Sequence, residues 1–210
     1  MTLTPDLVAR VDALLARGPR RLLGIVGAPG AGKSTMAAQV AEAVGPAAVV
    51  VPMDGFHLAQ TQLERIGRAD RKGAPDTFDA DGFVALLTRL RSPARTVYAP
   101  EYRRDLRNPV AGAIAVPPEV RLVVVEGNYL LLDQDGFGPV AGLLDESWFL
   151  APDDELRLAR LVARHEAFGK SPRQARAWVE RVDQANAARI EAARGRADLV
   201  LDLSGWAIGS

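Results

Sequence analysis

Nine consecutive residues carry the densest chemistry in the chain. Gly27-Ala28-Pro29-Gly30-Ala31-Gly32-Lys33-Ser34-Thr35 fits the pattern G-x-x-x-x-G-K-[ST] and follows the apolar run Leu22–Val26. Such a loop wraps polyphosphate. Its glycines let backbone N–H groups turn inward, the lysine reaches the outer phosphates, and the hydroxyl of Ser34 takes a Mg²⁺. The helix that Lys33 opens adds its positive end to the same place. Residues 27–35 are therefore expected to bind a nucleoside triphosphate together with Mg²⁺.

Two carboxylates stand where a second reactant would be handled. Asp54 lies in Pro52-Met53-Asp54-Gly55-Phe56-His57, just past the apolar run 47–51. A carboxylic acid with an ordinary pKa of about 3.9 cannot deprotonate an alcohol in the ground state. It can orient a hydroxyl and take its proton late, as that oxygen commits to a metaphosphate-like centre. The plainer role for Asp54 is to cap the following turn. Glu126 closes the run Leu122-Val123-Val124-Val125, where a charge is costly unless it meets a cation or a donor. It suits the acidic position near Mg²⁺, or that of a structural hydrogen-bond acceptor.

Arg157, Arg160 and Arg164 recur at i, i+3 and i+7 and so share one helix face. Alone such a face is usually just solvated. After the last-but-one strand of a phosphate-loop protein, it fits a lid that folds arginines over a transferring phosphate. His57 and His165 are the only histidines and cysteine is absent, so no metal-ligand spacing exists. His57 reads as a hydrogen-bond partner for substrate. Of 26 basic residues only Lys33, Lys72 and Lys170 are lysines. Lys72 sits beside other motif residues, which suggests a place where a compact ammonium is preferred to a planar fork.

Strands alternating with helices must position these groups. Thr4-Pro5-Asp6 starts a helix that Gly18 ends, with Leu7, Val8, Val11, Leu14 and Leu15 at helical spacing. Strands are expected at 22–26, 47–51, 122–125, 147–150 and 199–201, with shorter ones at 96–98 and 110–116, the latter a strand or hairpin arm. Helices are expected from 33 to 44, from an Asp79 or Asp81 cap to about 90, from an Asp153 or Asp154 cap to about Phe168, and from Ser171-Pro172 to near Gly195. Residues 52–80 are polar and too long for a plain connector. The alternation implies an α/β fold, a three-layer sandwich with a mainly parallel five-stranded sheet and a small helical lid. In such sheets ligands gather at the carboxyl ends of the strands, where the loop 27–35, Asp54 and Glu126 all fall.

The 210 residues suit a single domain over 1–210, with Lys+Arg and Asp+Glu both 26. That balance gives no field for nucleic acid or an anionic membrane. The absence of a signal pattern or a long apolar run points to a soluble cytoplasmic protein; assembly with a second copy stays open. A GTP-dependent switch would need an Asn-Lys-x-Asp segment, and none of the three lysines follows an asparagine.

The assembled motifs resemble the P-loop small-molecule kinases that include pantothenate kinase, uridine kinase and phosphoribulokinase. Within that group they are most similar to short bacterial kinases described as sugar-transport or fructose-transport kinases. The resemblance runs from about Leu22 to Asp202 on GAPGAGKST (27–35), MDGFH (53–57), RKGAPDTFD (71–79), VYAPEYRR (97–104), VVVEGNYLL (123–131) and RLARLVARH (157–165). It implies transfer of the γ-phosphoryl group of ATP to a hydroxyl of a sugar, nucleoside or pantothenate-like metabolite. Lys33, Asp54, Arg160 and Arg164 would be catalytic, Arg157 and residues 27–35 would hold ATP, and Ser34 and Glu126 would serve the metal. His57, Lys72, Tyr98, Tyr102, Arg104 and Asn128 would line the acceptor pocket, within inserts at about 52–80 and 96–118, under a lid at about 153–172. Asn186 would stand near the adenine. Pantothenate kinase carries Tyr-Ser-His where this chain has Tyr102-Arg103-Arg104, and uridine kinase has a serine and an aromatic after its base. The added arginine and histidine suit an acceptor with several hydroxyls or one bearing an acid or phosphate.

Overall fold

The computed structural model describes residues 3–91 and 94–203. Its centre is a five-stranded parallel sheet in the order β2 (Ala48–Pro52), β5 (Leu122–Gly127), β1 (Arg21–Val26), β6 (Glu146–Ala151), β7 (Leu199–Asp202). Side chains alternate across it with the two-residue period of a strand. Leu22, Val26, Val123 and Val125 face one core with α4 (Ala80–Arg91). Leu23, Ile25, Leu122 and Val124 face the other with α1 (Pro5–Leu15) and α2 (Lys33–Val44). Burial on both faces explains why these strands read as unbroken apolar runs.

Register sets the site. Pro52 of β2 and Ile25 of β1 pair with Glu126, and Val26 pairs with Gly127. The three strands therefore end level, and the loops after them open at one edge of the sheet.

The remaining elements refine the sequence expectations. The strand at 96–98 extends to β3 (Val97–Arg103), and 110–116 belongs to β4 (Asn108–Val116); the two pair antiparallel as a hairpin apart from the main sheet. Residues 52–80 are not plain coil: 3₁₀ turns at Met53–Phe56, Ala69–Arg71 and Pro75–Thr77 flank α3 (Gln60–Arg65). The Asp79 carboxylate accepts from Gly82 N ahead of α4, and Asp153 accepts from Leu156 N to cap α6 (Asp154–Ala167), settling both pairs of alternatives. Ser171 and Gln174 form a capping box at α7 (Pro172–Trp178). That helix continues through a π turn at Val179–Asp183 into α8 (Gln184–Ala192). Among the described residues no helix is long and apolar enough to cross a membrane.

The hairpin packs onto the turn that carries Asp54. A Cβ on Gly55 would lie 2.3 Å from the carbonyl oxygen of Pro100. Backbone must move to admit it, so only glycine lets β3 approach this closely. Gly55→Ala is expected to cost about 1–3 kcal/mol by overpacking. Gly142→Ala, on α5 (Val140–Leu143) with open space around it, should be neutral or slightly stabilising. Denaturant unfolding of both variants checks the contrast; equal effects would contradict the close docking.

Candidate active site

The loop after β1 turns through left-handed glycines, Gly30 at φ 82° and Gly32 at φ 92°. A Cβ at Gly30 would sit 2.8 Å from the carbonyl oxygen of Arg157, so the loop and α6 touch through bare backbone. Lys33 folds back over the loop and donates to the Ala28 carbonyl at 3.1 Å. Burial lowers its pKa to about 8, against the opposing pull of Glu126 and Asp54. The Ser34 hydroxyl donates to Glu126 Oε1 at 3.1 Å. Glu126 is buried, and its pKa is raised, first by that burial and then by the charge of Asp54. Lys33, Ser34, Asp54 and Glu126 thus share one cleft, as their order along the level strand ends requires.

This donor set fits Mg²⁺. It offers hard oxygens, a hydroxyl and a buried carboxylate that repels its neighbour until a cation arrives. Among the described residues no group of three acidic or histidine side chains gathers to hold a metal alone. The rest of the coordination sphere would come from water and phosphate.

On the acceptor side, His57 Nδ1 lies 2.9 Å from the Asp54 carbonyl oxygen. Its ring is packed between Phe78, with centroids 4.0 Å apart, and Tyr102 at 4.9 Å. Burial lowers the imidazole pKa, so the neutral ring donates from Nδ1 and leaves Nε2 as an acceptor. Lys72 sits 5.3 Å above the Tyr102 ring and donates to the Arg107 carbonyl at 2.9 Å. Its pKa is lowered, chiefly by burial. The Arg104 guanidinium stacks 5.4 Å from the ring of Phe168, at the end of the lid, and its charge acts on His57, Tyr102, Glu126 and Arg164. Asn128 is half-buried directly after β5.

One expected position falls elsewhere. Tyr98 does not line the pocket: it is 58% exposed, because Val97 and Ala99 on either side turn into the core. A bulge between Ala99 and Glu101 then changes the phase of the strand, so Tyr102 faces His57 although it lies four residues on. Asn186 is tied to the loop at 71–79. It is buried, and its Nδ2 donates to the Gly73 carbonyl at 3.3 Å, an oxygen that also accepts from the Tyr129 hydroxyl. The opposite face of α8 borders a cavity of about 410 Å³ lined by Ala28, Leu150, Pro152, Gln184, Ala187 and Arg194.

The three lid arginines differ. Arg157 is 4% exposed and braces the phosphate loop, with Nη1 donating to the Pro29 carbonyl at 3.3 Å, Nη2 to Gln184 Oε1 at 2.7 Å and Nε to Asp154 at 2.9 Å. Arg164 turns inward; burial and the neighbouring Arg104 lower its pKa, while Asp183, Asp54 and Glu126 oppose them. Arg160 is half-buried. Sequence reasoning missed Gln184 and Asp183. The available signal was two adjacent polar residues in a helix whose buried face also holds Val179, Val182, Asn186, Ala187 and Ile190.

Comparison with known proteins gives the family of the chain. The sequence profile of the "Phosphoribulokinase / Uridine kinase family" matches residues 22–205. The Schizosaccharomyces pombe protein named "Putative uridine kinase C227.14" is 34% identical over 189 residues, covering 85% of this chain and 80% of that protein. The pantothenate kinase of Leifsonia xyli subsp. xyli is 33% identical over 120 residues, 55% of this chain and 37% of that enzyme. The crystal structure of a "putative fructose transport system kinase" from Silicibacter sp. TM1040 superposes with a TM-score of 0.85 at 40% identity, over 95% of this chain and 99% of that one. With the profile spanning nearly the whole sheet and its phosphate loop, the chain belongs to the phosphoribulokinase/uridine kinase family and is a phosphotransferase that acts on alcohol groups.

Proposed function

We propose that this kinase moves the γ-phosphoryl group of ATP to a hydroxyl of a small polar metabolite of the sugar, nucleoside or pantothenate kind. The observation that carries the reading is the meeting of Ser34 and Glu126 at 3.1 Å in a cleft where Lys33 feels the charge of Asp54. Donor-side and acceptor-side groups then act on one point. Mg²⁺, when bound by Ser34 and Glu126, supplies charge neutralisation for the outer phosphates.

The chain's own residues divide the remaining work. Backbone N–H groups of residues 27–35 and the Lys33 ammonium hold negative charge. Arg164 and Arg160 add to it from the lid, and Arg157 keeps the loop in shape. Asp54, its side chain 42% exposed at the cleft, orients the acceptor hydroxyl and takes its proton on a carboxylate oxygen as the transfer proceeds. The His57 Nε2 accepts from a second acceptor hydroxyl, while Lys72, Tyr102, Arg104 and Asn128 fix the remainder of that molecule. The pocket inserts and lid act as parts of one domain.

Asp54→Asn keeps the shape but loses the proton acceptor, so turnover should fall by roughly 10²–10⁴ with ATP affinity nearly unchanged. A coupled ADP-release screen across sugars, nucleosides, pantothenate and sugar acids, with calorimetry for ATP, measures both. An active Asp54→Asn enzyme would remove Asp54 from catalysis.

Lys33 gives a second expectation. Its pKa near 8 in the free protein leaves the amine charged below pH 8 and mostly neutral at pH 9. Polyphosphate favours the ammonium, so ATP binding should take up a proton at pH 9 and not at pH 6.5. Affinity should be full below pH 8 and decline above it, by at most about tenfold per pH unit. Titration of ATP without Mg²⁺ in buffers of different ionisation enthalpy reads the uptake. Absence of any buffer dependence at pH 9, or its persistence in Lys33→Met, would contradict the assignment.

A further inference from the structure

The helix spanning 172–192 is regular at both ends and widens into one π turn at Val179–Asp183. A π turn sacrifices regular helical bonding, and such turns occur frequently at functional sites. Here the widening delivers two adjacent polar side chains to the lid. Gln184 accepts from Arg157, as described. Asp183, only 7% exposed, meets His165 Nε2 at 2.8 Å. His165 directly follows Arg164 on α6, so this tie fixes the rear half of the lid helix. Asp183 is also the foremost carboxylate acting on Arg164, ahead of Asp54 and Glu126, and it offsets burial and the like charge of Arg104. Among the described residues Arg164 has no ion-pair partner of its own. Without the negative charge at 183, only Asp54 and Glu126 remain to oppose the burial and repulsion that favour its turning outward.

The geometry points to Asp183, presented by the π turn, as a positioning residue: through His165 and by its own charge, it keeps Arg164 aimed into the cleft at the outermost phosphate. This rests on the proposed place of Arg164 over that phosphate. The role concerns the third phosphate and not the nucleotide as a whole, which makes it separable from a general structural effect.

Calorimetric affinities for ATP and ADP, each with Mg²⁺, test it without any acceptor. Arg164→Gln sets the scale, with an expected loss of about tenfold in preference for ATP over ADP. Asp183→Asn, which keeps size and hydrogen bonding, should lose at least half of that preference on a logarithmic scale, with ADP affinity within about twofold of the parent. His165→Gln, a second variant in case Asp183→Asn folds poorly, should shift the ratio in the same direction. Unchanged discrimination in both variants, beside a collapsed ratio in Arg164→Gln, overturns the role of Asp183. Equal loss of ATP and ADP affinity in Asp183→Asn also overturns it, as a purely structural effect. A normal ratio in Arg164→Gln instead overturns the placement of Arg164 and leaves the rest of the proposed kinase chemistry standing.

Discussion

A carboxylate at the end of a strand buried on both faces is an unfavourable object, and most of this architecture is explicable as its accommodation. Glu126 loses hydration, and the charge of Asp54 makes matters worse. What offsets the cost is one hydroxyl from the neighbouring helix and one ammonium from the phosphate loop. Those partners reach Glu126 only because β1, β2 and β5 end level. A shift of one strand by a single residue would send Glu126 to the opposite face of the sheet. The sheet register is therefore an electrostatic requirement as much as a packing one.

The same arrangement gives the cleft two unlike halves. On the nucleotide side, contacts are made by backbone and by the buried Arg157, and the parts interlock: Gly30 has no room for a methyl group, and the Pro29 carbonyl is already taken. The side expected to hold the acceptor is built from side chains on a hairpin and short turns, anchored by the buried Met53, Val97 and Ala99. Tyr102, Lys72 and Arg104 are held by rings and carbonyls rather than by carboxylates. The first half suits a ligand common to a whole family, and the second suits one that differs among its members.

Much of this was legible in the residues. Apolar runs at 22–26 and 122–125 had to be central strands, and the glycine pattern before Lys33 had one sensible use. The rest depended on information no linear pattern holds. Tyr98 and Tyr102 looked equivalent at a spacing of four, but a bulge between them separates their faces. The tie of Asn186 to the Gly73 carbonyl was not legible, because one turn of helix decides whether a side chain meets that carbonyl or the cavity on the opposite face. The π turn left no mark in hydrophobic periodicity, since the buried positions on either side keep ordinary helical spacing. Three arginines at helical spacing shared a face as expected, yet one braces a loop and another turns into the cleft, a division set by what lies opposite each.

The fixing of Arg157 to the Pro29 carbonyl has a corollary. The front of α6 travels with the phosphate loop, whereas its far end meets the hairpin through Arg104 and the exposed ring of Phe168, before Gly169 in a left-handed conformation. Only the rim past His165 is free of the ties that serve the nucleotide half. That rim can be exchanged without touching the hold of Arg157 on the phosphate loop.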